Sequence, residues 1–330
     1  MISKQKLSKY NGLFKKTKIL CIGDLMLDQY IYGDVNRISP EAPVPIILVN
    51  NKISVLGGAG NVARNIANLG GQVNLICILG EDEVSKKAKV LIKKEKNFIL
   101  SSIKKEGFNL PIKTRYINKS NQLLRVDEEN IYYIDKKTQE KILKKIKLII
   151  NDYDLIVLSD YCKGIFNKDL IKRIIELGKK NLVPTIIDPK SKDFSIYSKA
   201  DYITPNYKEL IEAMNIDSQK KFNETNIIEL CKKTNDKFLI KNIILTRSDK
   251  GIMLVGNEGN YSCPAYAREV YDVTGAGDTV LAILSLCIAK KIDISDALHL
   301  ANYAAGIVVG KTGTAVTDLL EIEKFISNEK

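Results

Sequence analysis

Tryptophan is absent from the 330-residue chain and histidine occurs once, at His299. The six cysteines (Cys21, Cys77, Cys162, Cys231, Cys263 and Cys287) lie far apart and form no C-x-x-C pair. A zinc centre needs several imidazole or thiolate ligands at short spacing, so none is expected, and His299 reads as structural. Most of the cysteines sit in apolar runs, where a reduced thiol packs as a small hydrophobe; a reducing compartment follows. No apolar run approaches the ~20 residues of a membrane span, and none follows the basic start. Neither insertion nor export is expected, and the cytoplasm is the expected location. A block of one charge is also missing: the net charge of +12 comes from scattered lysines, which are usually solvated. Aromatic residues do not cluster with the basic ones, which argues against a nucleic-acid groove. An anionic substrate fits that charge equally well.

What is present is a regular alternation. Strand-like runs at 18–22, 73–79, 155–159, 185–188, 202–204 and 242–246 are separated by segments such as 61–69, 136–150 and 168–180 with apolar residues at helical spacing. This is the pattern of βαβ units around a mainly parallel sheet. Two extended stretches, 29–56 and 110–127, offer no helix and read as a small β lid inserted into an α/β body. The whole chain, 1–330, reads as a single domain.

Three glycine-rich segments compete for a phosphate-binding role. Gly306, Gly310 and Lys311 resemble a P-loop, but three residues separate the glycines where four are required. Gly58, Gly60 and Ala63 satisfy the G-x-G-x-x-A dinucleotide pattern, with Glu81 or Asp82 near the distance of a ribose-binding acid. That turn, however, does not follow the first core strand. Gly57, Gly58 and Asn61 equally suit the close approach of a sugar, or form a plain tight turn. Gly275, Ala276, Gly277 and Asp278 precede a helix over 279–289 that is apolar nearly all round and therefore buried. Its first-turn amides can hold a transferring phosphoryl group, and Asp278 can accept the proton of an attacking hydroxyl. The helix terminus should keep Asp278 ionised and weakly basic. Capping alone explains the same residues.

Asn206 and Glu209, after a strand end, have the spacing of a capping box and also suit Mg²⁺ held through water. Lys190 ends another strand and can reach nucleotide phosphates or simply solvent.

Taken in order, Gly57, Gly58 and Asn61, then Thr204-Pro-Asn206-x-x-Glu209, then Asp272-Val-Thr-Gly-Ala-Gly-Asp278 resemble the signatures of the PfkB, or ribokinase-like, carbohydrate kinases over nearly the whole chain. Further runs at 23–28, 37–45, 159–164, 269–272 and 304–311 resemble the members that phosphorylate D-glycero-D-manno-heptose 7-phosphate at O1, toward ADP-heptose and lipopolysaccharide. The resemblance implies a ribokinase-like three-layer α/β/α body with a β lid, acting on ATP, Mg²⁺ and a sugar phosphate. It assigns Asp278 as base and Gly275, Ala276 and Gly277 as anion hole. Asn206 and Glu209 fall to the Mg-nucleotide, with Lys190, Thr246, Ser248, Gly251 and Asn302 near ATP. Asp28, Gly57, Gly58 and Asn61 fall on sugar hydroxyls. For the substrate's own phosphate the candidates are Lys113, Arg115, Arg125 and Lys163. A homodimer formed through the lid edge is expected, as is a separate nucleotidyltransferase as pathway partner, since some such kinases are fused to one. Gly60 departs from the alanine usual in this branch and is expected to loosen its turn.

Overall fold

A computed structural model describes residues 2–119, 121–217, 222–266 and 270–327; Glu269, at the head of one of the resembling runs, lies outside them. The strand Lys18–Gly23 is buried at every residue after the first, as expected of a parallel strand covered on both faces. Among the described residues the largest sheet has nine strands, in the order Gly259–Cys263, Ile252–Gly256, Asn242–Thr246, Tyr202–Ile203, Thr185–Asp188, Leu155–Ser159, Lys18–Gly23, Gln72–Ile76, Phe98–Leu100. From Asn242–Thr246 to Phe98–Leu100 every pairing is parallel, and the first two strands extend the sheet antiparallel. Helices pack around this sheet and complete the three-layer α/β/α body. No helix of the described residues is long and apolar enough to cross a membrane.

The expected strand 73–79 is divided. Gln72–Ile76 stays in the main sheet, whereas Ile78–Leu79 pairs with Ile103–Lys104 in a separate two-stranded sheet. The carbonyl of Leu75 accepts from Ser101 and that of Cys77 from Ile103, so the chain changes partner at Cys77.

Strand order reverses beside Lys18–Gly23, whose successor in the sheet lies on one side and Leu155–Ser159 on the other. Such a reversal opens a crevice at the carboxyl ends of the strands. Asp24, Asp160, Asp188 and Thr204 all lie at that edge, each buried.

Most described residues of 29–56 and 110–127 fall in a four-stranded sheet, ordered Pro45–Gly58, Leu25–Ile38, Ile112–Asn118, Asn121–Glu128. Its inner end is buried through Leu27, Tyr30 and Leu56, while Asn121–Glu128 is exposed along its length. The helix Ala59–Asn68 leads directly out of this sheet. Gly60 lies inside that helix, where an added Cβ would stand 2.4 Å from Leu25 Cδ1 and 3.0 Å from Leu56 Cβ. The expectation of a looser turn is therefore corrected: the missing methyl lets the helix press closely onto the two strands.

Candidate active site

The helix Ala276–Ala289 is buried from Asp278 to Cys287, which fits its nearly continuous apolar sequence. Gly275 caps it with φ +80° and no side chain caps it, so the amides of Gly277 and Asp278 are open to an anion. They face a cleft of about 700 Å³. The cleft gathers Lys190, Asn206, Glu209, Thr246, Ser248, Gly251 and Asn302 with Gly275, Ala276, Gly277 and Asp278. Most of these residues come from strand ends, loops and helix starts at one edge of the sheet, with Asn302 added from within the helix Ile294–Val308, so the parallel topology is what brings them together.

Asp278 is 4% exposed. The Asn61 amide donates to its Oδ2 at 2.8 Å and the Tyr161 hydroxyl to its Oδ1 at 2.8 Å. Burial pushes the carboxyl up to about 7; Asp188 adds to the rise, while the two donors and Lys190 oppose it. Burial thus outweighs the helix terminus, on which the expected low basicity rested. A carboxyl near neutrality suits a general base better than an ordinary aspartate does.

Lys190 contacts Asp188 at 3.2 Å and Glu209 at 2.9 Å. Both carboxylates hold it firmly protonated in spite of its burial. Burial lifts Asp188 to about 6, with Lys190 pulling the other way. Asn206 and Glu209 form a full capping box: Asn206 accepts the Glu209 N–H at 2.9 Å and Glu209 accepts the Asn206 N–H at 2.8 Å. Glu209 spends one oxygen on the cap and the other on Lys190. A metal ion held through water fits these remaining lone pairs, whereas direct ligation would have to break the cap. Among the described residues no group of three or more His, Cys, Asp or Glu side chains converges as a metal cage.

The other candidates, Asp28, Gly57, Gly58, Asn61, Lys113, Arg115, Arg125 and Lys163, do not line this cleft. Asp28 is buried and pairs with buried Arg115 at 2.6 Å, and an added Cβ on Gly57 would meet Asp28 Oδ2. Gly58 caps the helix that carries Asn61. Among the four lysines and arginines considered for a substrate phosphate, Arg125 pairs with Asp127 at 2.9 Å and Lys163 with Glu129 at 2.6 Å. Lys113, half-buried in register with Asp28, has no ion pair among the described residues. His299 shares its Nδ1 with Cys263 Sγ and Tyr266 Oη behind the cleft wall. Asp82, weighed as a ribose-binding acid, caps the helix Glu83–Lys94 through the Ser85 N–H, and Glu81 pairs with Lys104.

Three participants are additional to those expected from sequence. Tyr161 reaches Asp278; Asp24 accepts the N–H groups of Tyr161, Lys163 and Ile165; Thr314 joins Tyr30 and Asp28. Their positions after strand ends were the available signal for the first two, while Thr314 lies 286 residues from Asp28 and carried none.

Two glycine substitutions in the anion turn should separate geometry from chemistry. Gly275→Ala places Cβ 2.7 Å from the Asn61 Nδ2 at a left-handed φ, so stability should fall by about 1–2 kcal/mol together with activity. Around Gly277 a Cβ meets nothing within 4 Å. Gly277→Ala should melt like the parent yet lose activity, since the methyl fills the space an anion needs; thermal melting with a turnover assay checks both.

Residues 16–320 match the pfkB family carbohydrate kinase profile. The chain is 42% identical over 316 residues to the Bifunctional protein HldE of Aliarcobacter butzleri, covering 96% of this chain and 66% of that one. It is 38% identical over 316 residues to the protein of that name from Rhodospirillum rubrum, covering 96% and 63%. The chain thus spans slightly under two thirds of the length of these curated relatives. Among solved structures, phosphofructokinase-2 from Escherichia coli in complex with potassium superposes with a TM-score of 0.80 at 16% identity, over 95% of this chain and 100% of that one. Ribokinase from Arabidopsis thaliana complexed with ribose and ATP gives 0.72 at 18% identity, over 94% and 98%. At such identities the likeness is one of fold.

Proposed function

The chain belongs to the pfkB family of carbohydrate kinases, and on that premise we propose that it transfers the γ-phosphoryl group of ATP to O1 of D-glycero-D-manno-heptose 7-phosphate. The observation that carries the phosphoryl-transfer chemistry is Asp278: buried, poised near neutrality, and set at a helix start with no side-chain cap, facing a nucleotide-sized cleft. The heptose assignment is supported by the similarity to the relatives named HldE and by the runs at 23–28 and 37–45.

In this reading Asp278 accepts the proton of the anomeric hydroxyl as its oxygen bonds to the γ-phosphorus and the bond to ADP breaks. The open amides of Gly277 and Asp278 take the charge on the equatorial oxygens, while Gly275 and Ala276 shape the turn, the Ala276 N–H being spent on the Val273 carbonyl. Lys190, Thr246, Ser248, Gly251 and Asn302 orient the nucleotide, and Asn206 with Glu209 hold Mg²⁺ through water. Bound Mg²⁺ supplies charge neutralisation at the β- and γ-phosphates. Asp28, Gly57, Gly58 and Asn61 shape the sugar side, and Lys113 is the cation best placed to meet the substrate phosphate without breaking an ion pair. The four-stranded sheet serves as the lid that excludes water. Its exposed Ile38, Leu48 and Leu124 support the homodimer.

Release of ADP from Mg-ATP, measured across a panel of sugars and sugar phosphates, tests the proposal. Heptose 7-phosphate should stimulate release most. No stimulation by any sugar, with tight binding of NAD or NADP, would favour the dinucleotide reading of Gly58, Gly60 and Ala63 instead.

A further inference from the structure

The Tyr161 hydroxyl is a partner of Asp278 that no motif assigns, and its surroundings define what it does. Tyr161 lines the cleft, with its hydroxyl 2.8 Å from Asp278 Oδ1 and its ring 5.8 Å from the Lys190 ammonium. The loop that bears it is pinned from beneath. Buried Asp24 accepts the N–H groups of Tyr161, Lys163 and Ile165 at 3.0, 3.1 and 3.3 Å. Asp160 accepts the Cys162 N–H at 2.8 Å and the Tyr197 hydroxyl at 2.6 Å. With its backbone fixed on two buried carboxylates, Tyr161 can release Asp278 by a side-chain movement alone.

Resting on the kinase reading of the cleft, we propose that Tyr161 is a positioning residue that keeps the Asp278 base closed to water until an acceptor hydroxyl displaces the phenol. Each carboxylate oxygen already has one donor, Asn61 on the sugar side and Tyr161 on the cleft side. The wasteful reaction is attack of water on the γ-phosphorus, its proton passing to Asp278 as the bond to ADP breaks. A water must give up its own solvation to replace the phenol. A bound sugar brings the binding energy of its other hydroxyls to that exchange.

The test uses the full chain and reads ADP release from Mg-ATP without any acceptor. Tyr161→Phe keeps the ring and removes the hydroxyl; acceptor-free release should rise about fivefold, the equivalent of one net hydrogen bond. Adding Asp278→Asn to that variant should abolish the rise. The donor from Tyr161 lowers the Asp278 pKa, as does the Asn61 donor, with Lys190 lowering and Asp188 raising it from the neighbouring loops. Losing the phenol should therefore move the acid limb of the rate to higher pH. A Tyr161→Phe rate equal to the parent's, with leakage only in Tyr161→Ala, would mean that the ring packs and the hydroxyl does not gate. Leakage that survives Asp278→Asn overturns the idea as well. Acceptor-stimulated release reports separately on the kinase reading, so the two can fail independently.

Discussion

Asp278→Asn should lower turnover by about 10²–10⁴ and yet make the protein more stable at pH 8. The first half follows from loss of the proton acceptor. The second follows from burial, which lifts the folded-state pKa to about 7, well above that of an unfolded aspartate. A carboxyl raised in this way costs nothing below the unfolded pKa. As pH climbs from about 4 through 7, the unfolded chain ionises freely while the folded one must charge a buried group. Above pH 7 the penalty is on the order of 2–4 kcal/mol. Asparagine avoids it at little structural expense, because its amide oxygen can take the Asn61 hydrogen bond and its amide nitrogen can donate to the Tyr161 oxygen. Urea unfolding at pH 4 and pH 8 checks the sign: the variant should gain at pH 8 and not at pH 4. Equal stability at both values would show that Asp278 is hydrated in the native protein and that its pKa is ordinary.

The same residue shows how far the sequence could be read. A buried apolar helix begun by two glycines made a helix start without a side-chain cap legible, since that reading needs only local geometry. The ionisation of Asp278 depends on what covers it, and Asn61 and Tyr161 arrive from 217 and 117 residues away. Strands with continuous apolar runs, such as residues 155–158 of Leu155–Ser159, were legible because both faces are buried. The division at Cys77 was not, because the apolar run continues unbroken while only the hydrogen-bonding partner changes. The helix Lys4–Phe14 was overlooked although Leu7, Tyr10 and Phe14 recur on one buried face behind a Ser3 cap. The spacing of Asn206 and Glu209 allowed a cap or a metal-linked role, and the structure realises the cap while leaving lone pairs for water-mediated binding.

Removing Arg115 should cost about 3–5 kcal/mol of stability, more than removing Lys113, Arg125 or Lys163, the other candidates for the substrate phosphate. From sequence it is one of four interchangeable candidates for the substrate phosphate. In the fold its guanidinium is buried, 2.6 Å from the carboxylate of Asp28 and 5.3 Å from the centre of the Tyr30 ring. Asp28 in turn accepts from the Thr314 hydroxyl, and the Tyr30 hydroxyl meets both the hydroxyl and the N–H of Thr314. Thr314 packs its methyl toward Gly275, so this network joins the four-stranded sheet to the anion turn. Arg115→Met leaves a buried carboxylate unpaired, and Asp28→Asn leaves a buried guanidinium half-satisfied. The double variant removes both charges and should recover at least about 2 kcal/mol of the summed single losses. A cycle of urea midpoints measures that coupling without any substrate. If Arg115→Met instead melts like the parent while the KM for the sugar phosphate rises, the pair contributes little to the fold, and Arg115 is free to turn from Asp28 to the phosphate when substrate binds.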